Sequence, residues 1–247
     1  MKEDAVAGRS SLPYIVLGAI ALAVAVGLYA SGLASEILRY KKDIVYLLRQ
    51  HLMLVGVSGS LAILTGVALG VWLSRPSMSR WAEGVIQAVN MVTSIPTLGK
   101  LALMMTFLGI GALPAIVGLW IATLLPIIRN TYEGIRAVPI HLVDAARGMG
   151  MDTREILRRV ELPNALFVIF AGVRTAMAVN VGTAPIAFLI GGGGLGELIF
   201  TGIDLQEHAM MLAGAIPTAL LAIAVDFLFG QAQYWLVPRG VNPLRNS

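Results

Sequence analysis

Apolar positions along this chain come in long unbroken blocks, not in the alternation of a half-buried strand, and short stretches between the blocks collect nearly all the charge. A helix needs about 20 apolar residues to cross a hydrocarbon core about 30 Å thick. Residues 13–33 hold no charge and predict a first span; a secretory signal has a shorter apolar core of about 7–15 residues, so a retained helix is expected. Residues 52–74 predict a second span, ended by Arg75 and Pro76. Between Gly84 and Ile128 the only charge is Lys100. Too long for one helix, this stretch reads as a third and a fourth span joined at Gly109-Ile110-Gly111-Ala112-Leu113-Pro114, where glycine and proline mark a turn. Residues 165–190, interrupted by Arg174, give a fifth span, and residues 209–236, carrying Asp226, a sixth. Gly191 to Gly194 and a short acidic loop with Glu197, Asp204 and Glu207 lie between them. The expected fold class is an all-α membrane protein with six transmembrane helices.

Composition agrees with this reading: 57% of the residues are hydrophobic and 13% charged, against about 45–50% and about 25% in soluble domains. Lys and Arg then set the orientation, because they collect on the cytoplasmic side. With the amino terminus inside, that side holds Lys2, Arg9, Arg75, Arg80, the arginines between residues 129 and 161, Arg239 and Arg245, while Arg39, Lys41, Lys42 and Arg49 lie outside. Both termini are therefore expected in the cytoplasm of a multi-pass protein, and the net charge of +4 reads as topology, with no nucleic-acid partner. Cysteine is absent and the three histidines, His51, His141 and His208, are scattered. No metal site and no thiol nucleophile are expected. The chain divides into residues 1–49 (first helix and outer loop), 50–238 (membrane core) and 239–247 (cytoplasmic tail).

Residues 129–161 differ in character, with Arg129, Arg136, Arg147, Arg154, Arg158 and Arg159 in a segment too polar for hydrocarbon. Pro139 suits the opening of a short helix, since a missing amide donor costs nothing in the first turn. Leu142, Val143, Ala146 and Met149 give it an apolar side, His141, Asp144 and Arg147 a polar one, and Gly148 and Gly150 break it. A second helix is expected from Asp152, with Glu155 three residues later as in a capping box, ending before Pro163. On periodicity alone, the pair either lies on the membrane surface or docks on a partner.

Asp144-Ala145-Ala146, then Gly148, then Ile156 with Leu162-Pro163, resembles the cytoplasmic loop of type I ABC importer permeases, Glu-Ala-Ala, Gly, Ile-x-Leu-Pro. Here Asp144 stands for the usual Glu, and Ile156 lies farther from Leu162 than that pattern implies. Ser94-Ile95-Pro96-Thr97-Leu98, Leu125 to Tyr132, Glu161-Leu162-Pro163, Gly172 to Ala176 and Gly191 to Gly196 are similar to the subfamily that imports glycine betaine, choline and carnitine as osmoprotectants. The resemblance covers roughly residues 50–238. It implies the type I permease fold, with a coupling-helix insert between the fourth and fifth helices (about residues 133–163) that docks in a groove of a cytoplasmic ABC ATPase dimer. It also implies a second permease, identical or homologous, and an extracytoplasmic substrate-binding protein.

ATP and Mg belong, on that resemblance, to the partner ATPase, and this chain binds no cofactor. Gly191 to Gly196 is glycine-rich, but the Gly-Lys-Ser/Thr of a phosphate-cradling loop does not follow it; it reads as a tight turn or close helix contact at the outer end of the fifth span. Charges inside a membrane are normally paired or line a pathway. Arg174 and Asp226 fall at similar depth and are expected to pair, as a helix lock or as a gate. Lys100 is expected to snorkel to the interface, and Trp72, Trp81, Trp120 and Trp235 to form an interfacial belt, which leaves selectivity to the binding protein. A stand-alone secondary transporter would show inverted repeats and broken midplane helices, and an intramembrane enzyme a convergent catalytic cluster; neither pattern is evident in the sequence.

Overall fold

In lipid, every backbone N–H and C=O must find its partner within the protein, which a helix provides along its own length. The computed structural model, which describes residues 26–27, 29–243 and 245, is accordingly helical, with no strand among the described residues. The first span, expected at residues 13–33, falls largely outside the described residues. A short helix α1 (Leu33–Ile37) and a 3-10 turn to Tyr40 lead into α2 (Lys41–Leu73). At 33 residues, α2 is about 50 Å long at 1.5 Å per residue. It outruns the hydrocarbon core, so Lys41, Lys42 and Arg49, expected in an outer loop, ride on its first turns, and the boundary drawn after residue 49 falls inside it.

The third expected span is broken. Helices α3 (Ala82–Ser94) and α4 (Thr97–Leu108) meet at 92°. Pro96 disfavours the α conformation for the residue before it, and both Ile95 (ψ 132°) and Pro96 (ψ 141°) are extended. The fourth span, α5 (Ala112–Arg136), does not stop at Ile128, so Arg129 and Arg136 continue the helix and the non-spanning insert begins after residue 136. It contains α6 (Ile140–Gly148) and α7 (Thr153–Ile156). The second insert helix is not separate: α7 runs through a π-helical turn, Leu157–Glu161, into the fifth span α8 (Leu162–Thr183). Pro163 offers no N–H to the Arg159 carbonyl, and the Leu162 N–H bonds back five residues to Leu157. The acidic loop is also partly helical, as α9 (Gly196–Asp204), reached by a 3-10 stretch from Ala184 to Ile190; α10 (His208–Leu236) is the last span. Among the described residues, four stretches are long and apolar enough to cross a membrane, 33–73, 112–136, 153–190 and 208–236, and the bent pair α3/α4 makes a fifth if its two halves count as one span.

Helix α5 is the hub, packed against α2, α3, α4 and α8. Lipid is as apolar as leucine, so helices in a membrane gain mainly from close approach over small residues. Along α2, Gly66 lies against Ile127, and a Cβ at Gly70 would come within 2.5 Å of the Thr131 Cβ and 2.8 Å of the Ile128 carbonyl. The main core joins Leu54, Val55 and Ala62 of α2 to Leu119 and Ile127 of α5 and Val173, Ala176 and Val181 of α8. Buried polar groups tie the same helices: Asn180 Nδ2 donates to Ser58 Oγ (2.9 Å) and Trp120 Nε1 to Thr65 Oγ1 (2.9 Å).

Candidate functional site

The insert is built from the residues that its amphipathic pattern singles out, with the faces divided differently. In α6, Val143 and Ala146 turn inward onto Ile156 and Val160, which closes a small apolar core within the insert. Ile140 (66% exposed), Leu142 (36%) and Met149 (70%) point away from that core, as does Ala145. Thus Leu142 and Met149, expected on one side with Val143 and Ala146, lie on the outer face, and only Ala146 of the Ala145-Ala146 pair is buried. Asp144 is exposed and meets Arg147 one turn on (3.3 Å). Of the two glycines expected to break the helix, Gly150 makes the turn, with φ of 81°, while Gly148 remains in α6.

Asp152 caps α7: its Oδ1 accepts from the Arg154 and Glu155 amides at 2.7 and 2.8 Å, and Glu155 Oε2 accepts from the Asp152 amide. Accepting from the Glu155 and Arg154 amides holds the Asp152 carboxyl below its usual range. Val160, not Ile156, stands two residues before Leu162-Pro163, and it shares the insert core with Ile156. Leu162 packs below, with Ile135, Ala165 and Ile169, and Pro163 sits in the first turn of α8. The spacing of the Ile-x-Leu-Pro pattern thus falls on Val160, while Ile156 lies one turn earlier in the same small core.

Two further groups lie deeper. Arg174 of α8 and Asp226 of α10 form a two-pronged ion pair, Nε to Oδ1 and Nη2 to Oδ2, both 2.5 Å. Their side chains remain about two-fifths exposed (41% and 40%), on an open hollow that also touches Phe167, Thr175 and Gln233. Lys100, in contrast, does not snorkel. It is 5% exposed and donates to the Thr93 carbonyl (3.1 Å), one of the acceptors that the break at Ile95 and Pro96 leaves without a helical donor. Trp72, Trp81 and Trp235 are exposed near span ends, but Trp120 sits between α2 and α5 and is not part of a belt. The glycine segment turns back on itself, with positive φ at Gly191, Gly193 and Gly194, and the Gly194 amide donates to Gln50 Oε1 (3.0 Å).

One contact had no sequence signal beyond its charges. Arg75, just past α2, meets Glu161 of the π turn (2.7 Å), each side chain only 17% exposed.

Comparison with known proteins gives a consistent set of relatives. The profile of the family described as binding-protein-dependent transport system inner membrane component matches residues 62–240. Osmoprotectant import permease protein OsmY of Salmonella typhimurium is 47% identical over 215 residues, 86% of this chain and 91% of that protein. Choline transport system permease protein OpuBB of Bacillus subtilis is 40% identical over 203 residues, 82% of this chain and 93% of that protein. Among solved structures, a chain of the MetNI methionine ABC transporter in an inward-facing conformation is 25% identical and matches with a TM-score of 0.71, covering 81% of this chain and 96% of that one.

Proposed function

The chain belongs to the binding-protein-dependent transport system inner membrane components, and on that premise we propose that it is the permease of an ATP-driven importer of small osmoprotectants such as choline, carnitine or glycine betaine. The relatives named for osmoprotectant and choline transport support that solute class. As a transport subunit it has no catalytic centre of its own, and hydrolysis of ATP with Mg belongs to a cytoplasmic ABC ATPase dimer. A second permease completes the pathway, an extracytoplasmic binding protein delivers the solute, and both termini face the cytoplasm.

The observation that carries this reading is the outer face of α6. An apolar surface in water marks an interaction site, and Ile140 and Leu142 of α6, with Met149 just past its end, are exposed while the opposite face of the helix is already buried on Ile156. The insert core satisfies Val143 and Ala146 and leaves the outer face for a partner. The test is co-purification with the ATPase. Ala145→Glu alters only the exposed face, so it is expected to lose the ATPase while the permease stays folded; undiminished association would return the insert to the membrane surface. Ala146→Glu is a poor probe, because it buries a charge in the insert core.

A further inference from the structure

We propose that the Arg75–Glu161 ion pair is the strut through which movement of the insert reaches the second span. The proposal rests on the reading of α6 as the ATPase-docking helix and adds the residues that carry its displacement onward. Arg75 is fixed before it meets Glu161: its Nε donates to the Val71 carbonyl (3.2 Å) and its Nη2 to Ser74 Oγ (2.8 Å). A cation at this position also suits the negative end of α2. Glu161 closes the π turn, so it stands at the one irregular step between insert and α8.

The packing runs in the same order. Val143 and Ala146 of α6 touch Ile156 and Val160. These residues flank or belong to the π turn that ends at Glu161. Beneath it, Leu157 and Leu162 pack in one cluster with Ile135 of α5 and with Val67 and Val71 of α2. A force on α6 thus meets an apolar contact that can slide and one short ionic contact that cannot stretch without breaking. With both side chains mostly covered, the pair is less screened than a surface bridge.

The test uses the complex purified with its ATPase, reconstituted with the binding protein in proteoliposomes, measuring ATP hydrolysis and uptake of labelled glycine betaine and choline. Arg75→Gln and Glu161→Gln are each expected to retain the ATPase and its hydrolysis within twofold, and to lower solute moved per ATP at least tenfold. The double variant is expected to be no worse than either single one, as for two groups acting as a unit. Charge exchange is avoided because a glutamate at position 75 would face the α2 carbonyls. If the neutral variants do not fold, Arg75→Lys carries the test: it keeps the charge but not the fork, and loss of coupling in an assembled complex supports the strut. Unchanged solute per ATP in the folded variants, or additive losses in the double variant, would overturn it. A wild-type permease that brings down no ATPase overturns the parent reading, whereas a coupled wild type with coupled variants overturns the strut alone.

Discussion

At the scale of single residues, two charged contacts make separable predictions. Asp152 accepts the Arg154 and Glu155 amides, so Asp152→Ala should speed hydrogen exchange of those two amides and leave α8 amides unchanged. Its carboxyl is held below the usual aspartate value of 3.8. A depressed acid stabilises the fold fully above its unfolded value and loses that contribution only as pH falls through the lower, folded one. The cap should therefore be indifferent to pH across the physiological range and weaken only in strong acid, which the same exchange measurement follows. Arg174 and Asp226 sit inside spans, where an unpaired charge is costly. Either Arg174→Asp or Asp226→Arg alone should lower folded permease recovered from membranes, and the exchanged double variant should restore it; failure of rescue would show that the orientation of the pair, and not its neutrality, matters. This pairing was legible because both charges could be counted to similar depth. Lys100 was not, since its acceptor on Thr93 exists only because the helix breaks at Pro96.

At the scale of helices, the pattern located the spans and misjudged their ends. Arg129 and Arg136 looked like the end of a helix because polarity was taken as its limit. A helix outside lipid needs no apolar residues to continue, and Arg129 pairs with Glu133 one turn on (2.8 Å). Pro96 was in plain view, but an uncharged run masks a break whose cause is steric. Pro163 misled the other way: placed at the first turn of α8 it ends nothing, and the chain passes through it by way of the π turn. The glycines of α2 give the prediction at this scale. Gly70→Leu would drive a side chain into Thr131 and the Ile128 carbonyl, and overpacking of this kind costs about 1–3 kcal/mol. A lowered melting temperature of the purified permease is expected, against little change for Gly84→Leu, where a Cβ meets nothing within 4 Å.

For the whole molecule, the arrangement across the membrane is directly testable because the chain has no cysteine. Single cysteines at Met149, exposed on the insert, and at Gln206, exposed between α9 and α10, should react with an impermeant maleimide from opposite sides. Met149→Cys should label only in inside-out vesicles and Gln206→Cys only in right-side-out ones; labelling of both from one side would overturn the orientation. Charge counting could supply that expectation, but not how the insert is aimed, which depends on the turn at 157–161. Each residue of an α-helix advances the chain by about 100° of rotation. The slipped register at this turn therefore sets an angular offset between α8 and everything before it. Deleting one residue between Thr153 and Glu161 would swing the outer face of α6 by more than a quarter of a circle without altering a single side chain on it. Substitutions that preserve the residue count would leave its heading unchanged. The constraint on this stretch is consequently one of phase: its length is the dial that sets which way the outer face of α6 looks.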